Sequence, residues 1–237
     1  SGGNERNKPP IEVVDLLQKI KRHYSRITFL DNNIYSDPNY AKELFEALKP
    51  LKIKWQAFCT IDIAKNEKLL ALAKASGCDM LAIGYEITGD SPEHEQRGKF
   101  AMADRYLSYS QKIKDAGIKI KAGFIWGFDS DRYGSLLNIW KFALAIKPAI
   151  AILSLLTPIP GTRLFNDMAK ANRLKNINWR HYAALDIVFE HPKLNHNVVS
   201  RIFFPYIAAL FFLTTSRKGQ FFLIILIVLI MAYYFSR

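Results

Sequence analysis

Five short apolar runs, centred near positions 28, 56, 82, 122 and 152, alternate with helical patterns along most of the 237 residues. That alternation constrains the fold more than any single motif. Strands that alternate with helices are joined by right-handed crossovers and lie parallel, which predicts an α/β protein. The strand that ends in AGFIWGFDSD, Ala122 to Asp131, and the run Asp79 to Glu86 read as buried strands, covered on both faces.

The helix signals are local. Pro9 and Pro10 open a helix to about Tyr24 with Ile11, Val14, Leu17 and Ile20 on one face, and Asp37 with Pro38 opens another to about Leu48. Asp62 is the expected cap of a helix from Ile63 to Ser76, ended by Gly77. Later helices are expected from about Lys99 to Ala116, from Asp131 to Ile146, and after Thr162. The charged loop from Ile87 to Gly98 reads as a cover.

Polar residues recur where the strands end: Asp31 and Asn32, then Thr60 and Asp62, then Glu86, Asp129 and Thr157. A doubly wound sheet gathers its ligand groups at one switch point, whereas a barrel draws them from many strand ends, so the pattern predicts a barrel or partial barrel.

The formal charge of +12 points to an anionic partner. After Glu190 there is no acid, while Lys193, Arg201, Arg217, Lys218 and Arg237 remain beside the most apolar stretch, which favours a membrane surface. No arginine-rich helix or aromatic-basic stripe is present, so nucleic acid is not an expected partner. Ile202 to Leu213 is apolar and broken by Pro205. Phe221 to Phe235 is uncharged and about 22 Å long as a helix, a marginal membrane span or an in-plane anchor. Two cysteines make no disulfide framework and no hydrophobic leader is seen, which predicts the cytoplasmic face of a membrane. His181, His191 and His196 lack the spacing of a helical metal site and read as surface histidines.

The order LDNN, FCTIDIA, AIGYE, GFIWGFDSD and LTPIPGTRLF, over about residues 9–190, resembles the radical S-adenosylmethionine enzymes. It is most similar to the branch that commonly carries an N-terminal cobalamin-binding domain. The resemblance implies a partial TIM-like (β/α)6 barrel, here without its first strand, that holds a 4Fe-4S cluster and S-adenosylmethionine at its top. In such enzymes the reduced cluster cleaves the sulfonium to a 5'-deoxyadenosyl radical, and the protein orients the cofactors. The cobalamin-linked branch methylates unactivated carbon or rearranges rings.

Carried over residue by residue, Asp31 and Asn32 would meet the methionyl ammonium, Thr60 the methionyl carboxylate or ribose, and Glu86 a ribose hydroxyl. Gly123, Ile125 and Gly127 match the adenine-binding strand pattern G-x-I-x-G-x-x-E. Its last position is Ser130 here, so the acid shifts to Asp129 or Asp131. Thr157, Pro158 and Pro160 would shape the adenine pocket. For several of these a local role is as natural: Asp31 and Asn32 suit a turn, and TPIPGT is a rigid turn by composition alone.

One family motif is missing. No C-x-x-x-C-x-x-C loop occurs in the sequence, and Cys59 and Cys78, expected near opposite ends of the barrel and roughly 20 Å apart, would not converge on one cluster. The expected organisation is a loose lead-in at 1–8, the partial barrel at 9–190, and a basic apolar tail at 191–237 with a candidate transmembrane helix at 219–236. The chain reads as a fragment of a membrane-anchored radical enzyme that acts with an electron donor protein on a small-molecule or lipid-like substrate. A second reading is a non-catalytic membrane-anchored binding or scaffold protein on a degenerate barrel. A third, weaker one is an ordinary barrel enzyme that holds phosphate through PGTR at 160–163.

Overall fold

The computed structural model describes residues 7–85, 105–175 and 178–214. Among them the order is α1 (Pro10–Ile20), β1 (Arg26–Phe29), α2 (Pro38–Leu48), β2 (Lys54–Cys59), α3 (Glu67–Ala75), β3 (Cys78–Gly84), α4 (Tyr106–Asp115), β4 (Lys119–Trp126), α5 (Ser135–Ile146), β5 (Ile150–Leu155), α6 (Arg163–Lys170) and α7 (His196–Thr214). The strands form one five-stranded sheet in sequence order, β1-β2-β3-β4-β5. The α/β expectation holds. The register pairs Arg26 with Lys54 and Phe29 with Ala57, then Ala57 with Leu81 and Cys59 with Ile83, all parallel.

Of the described residues, 7–84 and 105–121 make one compact unit, and 85, 122–175 and 178–214 a second. The core of the first gathers on Trp55, which is fully buried. Phe45 lies 5.1 Å from its ring and Phe29 5.7 Å edge-on, and its indole N–H donates to the Ser76 carbonyl at 3.1 Å. Aromatic pairs of this kind add about 0.5–1.5 kcal/mol each beyond the area they bury. In the second unit Tyr85, Phe124 and Phe142 form a like cluster, with centroids 5.5 to 6.3 Å apart.

The strands are packed more tightly on one face than on the other, with no β4 residue after Lys119 fully exposed. Ile120, Ala122, Phe124 and Trp126 are buried, while Lys121, Gly123 and Ile125 between them are only half-buried. In β2 Trp55, Ala57 and Cys59 are buried and Phe58 is 43% exposed. In β5 Ala151, Leu153 and Leu155 are buried and Ile152 is 38% exposed. Side chains alternate across a strand, so one face is packed and the other is less covered, exposed in part in β2 and β5 and half-buried in β4. Only β3 breaks this period, with Met80 and Leu81 both buried.

Local chemistry sets most helix starts. Asp37 caps α2 by accepting the N–H groups of Asn39 at 2.9 Å and Tyr40 at 3.2 Å. Asp62 does not cap α3, because its carboxylate is taken by the Thr60 hydroxyl. Ile61–Lys65 is instead a 3-10 turn, and Asn66 is the cap, accepting from Leu69 N–H at 3.0 Å. Gly77 closes that helix at φ +103, where an added Cβ would stand 1.9 Å from the Ile53 carbonyl oxygen. α5 starts at Ser135 rather than Asp131, since Asp131 folds back on the preceding turn.

α7 runs through Pro205 instead of breaking there. Its missing N–H costs one hydrogen bond, and tertiary contacts outweigh it: Val199, Phe203 and Leu210 are buried, and the Tyr206 hydroxyl donates to the Leu136 carbonyl at 2.5 Å. No helix among the described residues is long and apolar enough to cross a membrane. The segment 219–236, the loop 87–98 and Glu86 lie outside them.

Candidate functional site

The sequence-predicted residues lie in two groups, one in each unit, where strands end. In the first unit Asp31 and Asn32 are exposed on the turn after β1. The residue that organises this end is their neighbour. The Asn33 side-chain oxygen accepts the N–H of Tyr35 at 3.1 Å and of Thr60 at 3.0 Å, which ties the end of β1 to the end of β2. The Thr60 hydroxyl goes to Asp62. Burial raises the Tyr35 phenol above its ordinary value, and the Asp62 charge and Cys59 push it the same way. Tyr40 is raised by burial and then by Asp31.

In the second unit Gly123 and Ile125 share the less covered face of β4. The Gly123 carbonyl accepts the Tyr85 N–H at 2.7 Å. Gly127 follows at φ +113, a conformation that favours glycine. Asp131 closes the turn, one oxygen accepting the N–H of Gly127 at 2.8 Å and of Phe128 at 2.9 Å. Asp129 is bound on both oxygens by the Arg173 guanidinium, at 2.6 and 2.7 Å. That bond, the first of its causes, holds the Asp129 carboxyl below the usual carboxylate range. A carboxylate so held is a fixed anion rather than a proton carrier.

After β5 the Thr157 hydroxyl turns back to the Leu155 carbonyl at 3.1 Å, Pro158 is buried and Pro160 exposed. The Thr162 side chain accepts the Phe165 N–H and caps α6, so TPIPGT is a rigid turn into a helix. Arg163 is 95% exposed beside Asp167, with nothing gathered around it for phosphate.

Two features were missed in the sequence. Arg173 carries no motif and lies 44 residues from Asp129. His191, expected on the surface, is 8% exposed. Its Nε2 meets the Phe128 carbonyl at 2.8 Å and its Nδ1 accepts the N–H groups of Lys193 and Leu194. A histidine just before Pro192, after a run of apolar residues, was the available signal.

Cys59 and Cys78 are both free and buried. The register sets Cys78 beside Trp55, only four residues along from Cys59, which is closer than expected. Burial nonetheless pushes the Cys59 thiol well above its ordinary value and Cys78 up to about 12. Two cysteines spaced along neighbouring strands supply at most two of the converging thiolates that a cluster needs. Among the described residues no group of three or more His, Cys, Asp or Glu could hold a metal ion, so these residues do not fit a cluster.

No family model matches the chain. It is 29% identical over 191 residues to the bacteriochlorophyllide d C-12(1)-methyltransferase of Chlorobaculum tepidum, covering 77% of this chain and 41% of that one. It is 27% identical to an uncharacterized methyltransferase of Pyrococcus horikoshii, over 80% of this chain and 42% of the relative. The chain therefore spans less than half the length of the curated relatives it matches. Its fold is similar to the radical S-adenosylmethionine methyltransferase TsrM from Kitasatospora setae, solved with cobalamin and a [4Fe-4S] cluster, at a TM-score of 0.61 and 15% identity over 70% of this chain and 34% of that one. The chain shares the fold of this radical S-adenosylmethionine methyltransferase. A second solved structure, SuiB from Streptococcus suis bound to its precursor peptide, matches at a TM-score of 0.51 and 15% identity, over 73% of this chain and 39% of SuiB.

Proposed function

We propose that the chain is the S-adenosylmethionine-binding part of a cobalamin-linked radical enzyme that methylates carbon, built on a partial barrel. The observation that carries this is β4: a strand whose less covered face is lined by Gly123 and Ile125 and which leaves through the Gly127 turn. A glycine on such a face lets a flat ring approach the backbone, as adenine would. Asp31, exposed at the end of β1, is free to accept an ammonium, and Thr60 stands at the end of the next strand. Glu86 belongs to the same proposal.

The cluster supplies the electron that cleaves the sulfonium in this family. Its thiolates would have to come from outside these 237 residues, and what this chain contributes is binding, orientation and exclusion of water. The Chlorobaculum tepidum relative is a bacteriochlorophyllide methyltransferase, which supports a large, flat, mostly apolar substrate over a simple lipid. Attachment of the basic apolar tail at 191–237 to the cytoplasmic face of a membrane through its segment 219–236, and an electron donor protein, complete the reading.

The test uses the full-length natural protein, reconstituted anaerobically with iron and sulfide and given S-adenosylmethionine labelled in its methyl group. Reductant-dependent formation of 5'-deoxyadenosine, or label transferred to carbon, is the expected result. A protein that binds S-adenosylmethionine yet forms no cluster would instead support the second reading, a binding or scaffold protein.

A further inference from the structure

The segment after α6 grips the turn after β4 at three successive residues. Arg173 holds both Asp129 oxygens, the His191 ring holds the Phe128 carbonyl at 2.8 Å, and the Lys193 ammonium donates to the Ser130 carbonyl at 3.3 Å. The turn already closes on itself through Asp131. The outside grips are therefore not needed to form it, and what they add is where it sits.

The gripping groups are themselves fixed. Arg173 Nε donates to the Glu190 carbonyl at 3.0 Å, its guanidinium lies 5.7 Å from the Phe189 ring centre, and Leu174 pairs with Phe189 in an antiparallel bridge. His191 is buried, and because Nδ1 accepts two backbone N–H groups, the ring proton sits on Nε2 and points to Phe128. One tautomer satisfies all three bonds.

We propose that Arg173 and His191 are positioning residues that set the 127–131 turn, and through it the Gly123 and Ile125 wall of β4, for the adenosyl group. This rests on the reading of β4 given above. Asp129 accordingly meets Arg173 rather than the ligand: the acid that the family pattern leads one to seek is spent on holding the turn in place.

The experiment compares the reconstituted full-length protein with its Arg173→Ala, Arg173→Lys, His191→Ala and His191→Gln variants. It reads KM and kcat for S-adenosylmethionine cleavage, the Kd for S-adenosylmethionine, and hydrogen exchange at the Gly127 and Phe128 amides. A displaced turn weakens the adenosyl contacts equally in the ground and transition states, so the alanine variants are expected to raise KM and Kd about tenfold with kcat within about twofold. Exchange at those amides quickens while the β2 and β3 amides keep their protection. Arg173→Lys restores only part of the affinity, since one ammonium cannot take both oxygens, and Lys175→Ala, which loses only an exposed pair with Glu190, changes nothing. Where an alanine variant does not fold, the Lys and Gln variants carry the same comparison. Folded variants with wild-type KM and exchange overturn the proposal, as does a loosened turn with unchanged affinity. A wild type that binds no S-adenosylmethionine overturns the reading beneath it, and the positioning role with it.

Discussion

Asn33 joins Thr60 across the ends of β1 and β2, its side-chain oxygen accepting the Thr60 backbone N–H at 3.0 Å. The same oxygen accepts the Tyr35 N–H, so two loops that the sequence separates by 27 residues share one acceptor. Asp31 and Asn32, just before Asn33 in the chain, are exposed.

Replacing Asn33 by Ala leaves two backbone N–H groups without their acceptor. A loss of about 1–3 kcal/mol is expected from part-buried donors left unmet, read as a lower urea midpoint. Asn33→Asp keeps the acceptor and should lose less. Equal losses in the two variants would mean that the oxygen is not what matters.

Two glycines should differ in cost. At Gly127 an alanine Cβ would lie 3.5 Å from the Leu156 Cβ, an ordinary contact, so only the backbone at φ +113 resists, for about 1–3 kcal/mol. At Gly77 the same change meets the Ile53 carbonyl at 1.9 Å and must move the backbone. Thermal melts should rank Gly77→Ala well below Gly127→Ala.

Acid should weaken the Asp129 pair in a defined direction. Arg173 lowers the folded pKa of Asp129 below its unfolded value, so the stabilisation is present above the unfolded pKa and is lost as pH falls through the folded one. Asp129→Asn should therefore lower the urea midpoint at neutral pH, with the gap to wild type closing in strong acid. A gap that stays constant with pH would exclude the charge as its cause.

The thiols should be silent in the folded chain. Cys59 and Cys78 are 4% and 1% exposed, and burial keeps both protonated. A thiol reagent at neutral pH should titrate neither until denaturant is added, when both react. Iron and sulfide added to these 237 residues should give no cluster absorbance.

Some local signals translate directly into the structure. Asp37 with Pro38 opens α2, and Gly77 ends the third helix, because caps and left-handed closures depend on residues within one turn. Asp62 misled for a nearby reason: the Thr60 hydroxyl took the carboxylate that would have capped the helix. The Gly123, Ile125 and Gly127 spacing was legible as a strand with an unusual exit. The roles of its acids were not, since Asp131 and Asp129 differ by whether a partner arrives from elsewhere in the chain.

The sequence by itself determined the α/β alternation, the order of the strands and the residues at their ends, because periodicity and turn chemistry are encoded within a few positions. Only the tertiary structure decided that Ile120, Ala122, Phe124 and Trp126 take the packed face of β4 and leave Gly123 and Ile125 on the other. It alone brought Arg173 to Asp129 and His191 to Phe128, across 44 and 63 residues. Such pairings are set by how packed elements meet, and no local pattern in the chain records where a distant side chain will land.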